Sequence, residues 1–227
     1  MIRRLLIGAA CCCNLVAATV DAQTSTVQTG RIEVAGGGGL FSGGQLGNSD
    51  ASLRANALTP APYRLFTTTS SFATTPLVEG RVSVAVSRRL AVEGRFGFSR
   101  PELRTSISAD AEAGNSITAV ERIDRYMIDG GVTFTLDDLR WGELVPYAAG
   151  GVGYLRELHE GQMLIQQGHS YHVGGGVRRR LFVHDRRVVK SGGVRGDVRV
   201  YLLSGGAAFD TATHARVAVS GSFFVGF

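Results

Sequence analysis

Residues 215–227 read Ala-Arg-Val-Ala-Val-Ser-Gly-Ser-Phe-Phe-Val-Gly-Phe, and this stretch decides the fold. Val217, Val219, Gly221, Phe223, Val225 and Phe227 share one parity, while Arg216, Ala218, Ser220 and Ser222 hold the other. Successive side chains of a strand point to opposite faces, so one face is apolar and the other small and polar. Val217 to Phe227 is 11 residues, the length a tilted membrane-crossing strand needs (about 9–11).

The same alternation recurs upstream and gives eight strand candidates. The first spans 31–42, with Ile32 and Val34 opposite Arg31 and Glu33. The second, 77–86, sets Val78, Val82 and Val84 against Glu79 and Arg81, and a tight link at Ser87-Arg88-Arg89 follows. The third, 90–99, sets Val92, Phe96 and Phe98 against Glu93 and Arg95. The fourth, 123–136, sets Tyr126, Ile128 and Val132 against Arg125 and Asp129. The fifth, 144–155, has small residues on both faces and leaves its parity open. The sixth, 170–182, sets Tyr171 and Val173 against His172 and Arg178. The seventh, 193–203, sets Val194, Val198 and Val200 against Arg195, Asp197, Arg199 and Tyr201. The eighth is the closing strand.

The links near 43–76, 100–122, 156–169 and 204–214 are long and polar; those near 87–89, 137–143 and 183–192 are shorter. Short turns on one side and long loops on the other are the habit of outer-membrane barrels. An even strand number puts both barrel termini on one side. The expectation is an all-β fold, an eight-stranded antiparallel up-and-down transmembrane barrel over 23–227, with no second domain.

The amino terminus reads as an export signal over 1–22. Arg3 and Arg4 precede an apolar run from Leu5 to Val20, and Val20-Asp21-Ala22 offers small residues for cleavage. All three Cys, at 11–13, lie in that segment, so the remaining 205 residues (227 − 22) carry no thiol. Disulfides, Cys metal sites and Cys nucleophiles are thereby excluded from the exported part. The net charge of +5 becomes +4 when Arg3, Arg4 and Asp21 leave. A basic balance invites a nucleic-acid reading, but here the charges alternate with apolar residues along strands, and no nucleic-acid partner is expected. Beyond residue 22 no run of about 18 apolar residues occurs, which leaves a closed barrel as the route across a bilayer.

Carboxylates and guanidiniums share a face at spacing two in Arg31/Glu33, Glu79/Arg81, Glu93/Arg95 and Arg195/Asp197/Arg199, and at spacing four in Arg125/Asp129. In a membrane barrel this face points inward and the apolar face meets lipid; a soluble ligand-binding barrel of lipocalin type reverses it. The signal segment, strand lengths and final Phe favour apolar-outward. An eight-stranded lumen is just wide enough to be filled by side chains, so the charged face is expected to form a lumen network that plugs the barrel. Aromatics near strand ends (Phe41, Phe98, Tyr126, Trp141, Tyr147, Tyr154, Tyr171, Tyr201 and Phe227) suit interfacial girdles.

These features resemble the small bacterial OmpA/OmpX-type outer-membrane barrels, the porin-family or outer-membrane β-barrel domain proteins. The resemblance implies residence in the outer membrane of a Gram-negative cell. It also implies that Phe223, Val225 and Phe227 serve as the signal read by the barrel-assembly machinery. Expected partners are outer-membrane lipid, lipopolysaccharide and that machinery; the barrel is expected to be a monomer without cofactor or metal. A structural or interaction role through external loops is the leading reading. The alternatives are a narrow porin-like channel and a lipid A-modifying enzyme. For the last, Ser170 with His172, or His214 with Ser220, are the only neighbouring Ser–His pairs, and neither has an evident orienting carboxylate. His169 and His172 fall on opposite faces of an extended segment, which argues against joint metal ligation. Gly36–Gly39 lacks the Lys-Ser/Thr ending of a phosphate loop. Arg178-Arg179-Arg180, at the membrane-proximal end of the sixth strand, suits either contact with anionic headgroups or a solvated turn.

Overall fold

The computed structural model describes residues 30–53, 63–108, 117–159, 164–184, 188–206 and 213–227. Residues 1–29, with the expected signal segment and Cys11–Cys13, lie outside the described residues.

Among the described residues eleven strands run in chain order: β1 Ile32–Phe41, β2 Gly44–Leu53, β3 Tyr63–Phe72, β4 Thr75–Ala85, β5 Leu90–Ser99, β6 Glu102–Ser108, β7 Ile117–Thr135, β8 Leu144–His159, β9 Ile165–Val183, β10 Ser191–Gly205 and β11 His214–Gly226. Eight of them, β1, β4, β5, β7, β8, β9, β10 and β11, pair antiparallel with both neighbours. The β7–β8 ladder, from Ile123↔His159 to Thr135↔Tyr147, closes the ring. The fold is therefore a closed eight-stranded antiparallel barrel, and closure leaves its ladders without a free edge.

The connections at the end where β1 starts are short. At Ser87–Arg89 the Ser87 hydroxyl accepts from the backbone N–H of Arg89 (3.3 Å) and Leu90 (3.1 Å), the local turn chemistry of Ser. Asp137–Leu139 forms a single 3-10 turn between β7 and β8. This is the turn end of the barrel.

At the opposite, loop end the structure differs from the sequence expectation. Long parts of the links 43–76 and 100–122 are not loop. They form β2, β3 and β6, which with the first residues of β7 make a four-stranded sheet continuing the barrel wall. β1 passes into β2, β3 into β4 and β5 into β6 across breaks of two residues each. A bulge in β2 accompanies Gly47, whose φ of 119° a side chain disfavours. The run Thr67-Thr68-Thr69-Ser70-Ser71 in β3 reads as a polar loop by hydropathy, yet β-branched Thr suits strands. The underside of this sheet is sealed by Leu46, Phe72, Leu103 and Ile123. β8 and β9 likewise extend into the expected 156–169 loop, to His159 and from Ile165.

Parity follows the sequence on every barrel strand that had a definite one. Along β11, Val217, Val219, Phe223 and Val225 are exposed, while Arg216, Ala218, Ser220, Ser222 and Phe224 are buried. The parity that sequence left open in β8 resolves with Tyr147, Ala149, Leu155 and Glu157 inward and Ala148 and Val152 outward. The barrel thus has an apolar exterior and a lumen rich in charge.

Candidate functional site: the lumen

The inward residues form layers between the turn end and the loop end. The middle layer is ionic. Four guanidiniums, Arg81, Arg95, Arg195 and Arg199, face four carboxylates, Glu79, Glu93, Asp129 and Asp197, and all eight are buried. Four positive and four negative charges cancel, as a buried network must.

Connectivity runs across the barrel as well as along strands. Arg81 bonds Glu79 on its own strand and reaches Asp197 of β10 at 2.8 Å. Arg95 grips Asp129 through Nε at 3.1 Å and also Nη2, and contacts Glu79 at 3.3 Å. Arg195 holds Asp197 as a two-pronged fork, Nε to Oδ2 at 3.1 Å and Nη2 to Oδ1 at 3.2 Å, and sends Nη1 to Glu93 at 2.8 Å. Arg199 bonds the other oxygen of Glu93 at 2.6 Å. Charge-assisted forks of this kind are strong and directional. Hydroxyls complete the carboxylates: Ser170 donates to Asp129 (2.8 Å), Ser220 to Glu79 (2.7 Å), and Tyr147 to Asp197. The Tyr147 ring also lies under the Arg195 guanidinium, 4.4 Å from its centroid.

Three of the expected in-strand pairings do not occur. Arg125 does not meet Asp129; its Nε bonds Glu157 at 2.7 Å, and Arg95 takes Asp129 instead. Four residues along a strand span roughly 13 Å, too far for that contact while Arg95 lies beside Asp129 in the β5–β7 register. Glu93 and Arg95 likewise turn to different partners. Arg31 and Glu33 sit apart from the middle layer, at the turn-end mouth, where Glu33 comes within 4.0 Å of Arg178.

Above the ionic layer lies an apolar one that sequence reasoning missed, formed by Phe41, Leu77, Met127, Leu155, Tyr201, Leu203 and Ala218. Arg125 is held at this level with its guanidinium 5.4 Å from the Phe41 ring centroid and 4.5 Å from that of Phe72. The signal for this layer was a doublet. In Leu40-Phe41 and Leu202-Leu203 two adjacent apolar residues break the alternation, so one of each must point inward.

The aromatic-girdle expectation is corrected for Phe41, Tyr147 and Tyr201, which are buried in the lumen (1%, 5% and 0% exposed). Their inward parity, shared with Arg199 for Tyr201, outweighs their nearness to strand ends. Trp141, Tyr154, Tyr171 and Phe227 are exposed on the outside. Phe98 and Tyr126 stack at 5.0 Å. Phe223, Val225 and Phe227 lie on the outer face, and the Phe227 N–H donates to the Ile32 carbonyl at 2.8 Å.

The packing leaves little room. Around Glu93, Arg95, Asp129, His172 and Arg199 no position admits a water-sized sphere. Gly153 shows how tight the layer is. A side-chain carbon placed there would strike Asp129 Oδ1 and come within 2.7 Å of Ser170 Oγ.

The Ser–His pairs have other employment. Ser170 Oγ bonds Asp129, and the His172 ring lies against Arg199 Nη1 (3.2 Å) and Tyr201 (ring centroids 5.4 Å apart), so the carboxylate serves the Ser and not the His. His214 is at the loop end and Ser220 in the ionic layer, on one strand at spacing six. His169 is exposed and His172 buried, so the two do not converge.

No family model matches the chain, and no curated protein matches it. Among solved structures, the outer membrane protein OprG from Pseudomonas aeruginosa is similar at a TM-score of 0.45 and 10% identity, covering 87% of this chain and 94% of that one.

Proposed function

We propose that the protein is an outer-membrane β-barrel whose lumen is closed by ion pairs and whose contacts with the surroundings are made by the loop end. The observation that carries this reading is the inversion of the two faces. Val34, Val78, Val92, Val132, Val173 and Val219 are among the large apolar residues exposed around the wall, while the buried interior holds the eight-charge network. Water as the outer solvent would leave that apolar surface unpaid for and the ions desolvated for nothing. Lipid outside reverses both terms. The 11 residues from Val217 to Phe227, rising about 3.3 Å each and tilted about 45°, cover roughly 26 Å along the normal, matching an apolar band about 25 Å tall.

The ion pairs serve structure and occlusion. An ionic layer without room for a water-sized sphere around Glu93, Asp129 and Arg199 supports a plug over a channel. Phe223, Val225 and Phe227 would present the assembly signal outward, and the four-stranded extension at the loop end supplies a rigid platform for lipopolysaccharide or surface partners. Two measurements test this reading together. On fractionation the protein should sediment with the outer membrane and migrate differently on gels boiled and unboiled. In planar bilayers it should give no steady conductance. A soluble periplasmic product without a mobility shift would overturn the membrane assignment, and stable single-channel steps would overturn the plug.

A further inference from the structure

The outer wall is apolar, but toward the loop end it carries charge on one side only. Where β10, β11, β1 and β4 approach that end, the outward residues are Leu202, Ala215, Leu40 and Pro76, all exposed and none charged. On β6, β7 and β8 the outward positions hold Arg104, Glu102, Arg122, Asp124 and Arg156, joined by Arg100 from the break between β5 and β6. Four guanidiniums stand there against two carboxylates, and both carboxylates are engaged. Arg104 pairs with Glu102 at 3.2 Å, and Arg100 Nε donates to Asp124 at 2.6 Å. Arg122 and Arg156 are exposed and form no ion pair with a carboxylate among the described residues.

These charges form one patch. Asp124 follows Arg122 by two residues on β7, and Arg156 of β8 is the register partner of Tyr126, two residues further on. Arg156 is thus a diagonal neighbour of Asp124, about 7–8 Å away and within reach of a long side chain. Directly on the turn-end side of the patch the wall becomes aromatic. Phe98 and Tyr126 face each other in register and stack at 5.0 Å, and the Arg100 guanidinium lies 5.5 Å from the Phe98 centroid. The next row is Phe96, Ile128 and Tyr154, all exposed. Amphipathic rings favour the boundary between acyl chains and headgroups, so the unpaired guanidiniums stand at headgroup level, continuous with an apolar wall below them.

We infer that the loop-end wall over β5–β8 is the docking surface for one phosphorylated glycolipid of the outer leaflet, a lipopolysaccharide. Its acyl chains lie along Phe96, Ile128 and Tyr154, and its headgroup phosphates meet Arg122 and Arg156. A guanidinium fork matches two phosphate oxygens, and two phosphate charges cancel the excess of four guanidiniums over two carboxylates. Arg122 and the level of Arg156 are separated by four residues of strand, roughly 13 Å. That span suits two phosphates set apart on one sugar headgroup better than a single phosphodiester. The inference rests on the loop end facing outward, as proposed above, which selects the glycolipid of the outer leaflet over the phospholipid of the inner one.

The test is titration calorimetry of bisphosphorylated lipid A into the full barrel, both in one uncharged detergent, with heat-modifiable gel mobility confirming the fold of every sample. One saturable site per barrel is expected. The double variant Arg122→Gln/Arg156→Gln, which removes two charge-assisted contacts, should weaken it about tenfold or more. Each single change should weaken it less, and Arg88→Gln, in the exposed turn at the other end, should leave it unchanged. Lipid A stripped of its phosphates, and phosphatidylglycerol, should both bind about tenfold more weakly or worse. Equal affinities of wild type and double variant, or of lipid A with and without phosphates, would overturn the inference, and phosphatidylglycerol binding as tightly as lipid A would overturn the choice of occupant. In each of these cases the folded barrel in its micelle leaves the membrane reading standing. A chain that stays folded and soluble without detergent would overturn both.

Discussion

Replacing Asp197 by Asn removes one charge from the middle layer with almost no change in shape. In the native lumen Asp197 accepts from Arg81 at 2.8 Å, from Arg195 at 3.1 and 3.2 Å, from Arg199 at 3.4 Å and from the Tyr147 hydroxyl. The network then carries four guanidiniums against three carboxylates, a net +1 among buried side chains. The new amide group also points N–H donors at guanidinium donors. Breaking a buried ion pair from one side costs about 3–5 kcal/mol, a roughly hundred- to several-thousand-fold fall in the folded-to-unfolded ratio at about 1.4 kcal/mol per decade. Asp138→Asn is the reference, because its pair with Arg89 (3.0 Å) leaves both side chains about half or more exposed, and such pairs contribute about 0–1 kcal/mol. Urea unfolding from lipid vesicles, followed by heat-modifiable gel mobility, measures both. A loss below about 1 kcal/mol for Asp197→Asn, level with Asp138→Asn, would refute the view that the lumen is a closed, charge-balanced network.

Other substitutions probe the remaining layers. Arg125→Met should cost several kcal/mol by leaving Glu157 buried, and the double change Arg125→Met/Glu157→Gln should recover part of it in the same urea assay. Gly153→Leu forces a side chain into Asp129 and Ser170, so it should destabilise by about 1–3 kcal/mol; an unchanged urea midpoint would show that the lumen is looser than described. Val132→Arg, on the outer wall, should cost about 2–4 kcal/mol in a bilayer if Val132 lies near the midplane, read as a lower folding yield into vesicles, and much less in detergent, where the micelle deforms around the charge.

Much of this barrel is readable from the sequence because period-two alternation is a direct imprint of a two-faced wall. The eleven charged positions of 31–199 all carry the inward parity expected of them, and the Ser87–Arg89 turn falls where expected. Partner choice was not readable. Arg95 meets Asp129, and Arg199 meets Glu93, across strands whose register depends on the whole ring. Spacing along one strand suggested Arg125 for Asp129 and was wrong. β2, β3 and β6 escaped notice because Thr- and Ser-rich segments carry no apolar alternation, although their backbones pair as well as any. Glu157 was assigned to a loop for the same reason, since β8 continues past the last apolar doublet at Tyr154-Leu155. The girdle assignment failed for Phe41 and Tyr201 because nearness to a strand end was weighed above parity.

The central claim is that lipid lies outside and ion pairs inside, and β11 offers the most direct test. All native cysteines fall at 11–13, so once these three are replaced by Ser, single Cys residues can be placed along β11 without interference. Val219, Phe223 and Ala218, Ser222 would each be replaced by Cys, labelled with a small fluorophore and quenched by spin-labelled lipid in vesicles. The account predicts strong quenching at 219 and 223 and weak labelling with little quenching at 218 and 222. Uniform quenching, or protection of 219 and 223 from lipid with ready access to an aqueous quencher, would contradict it.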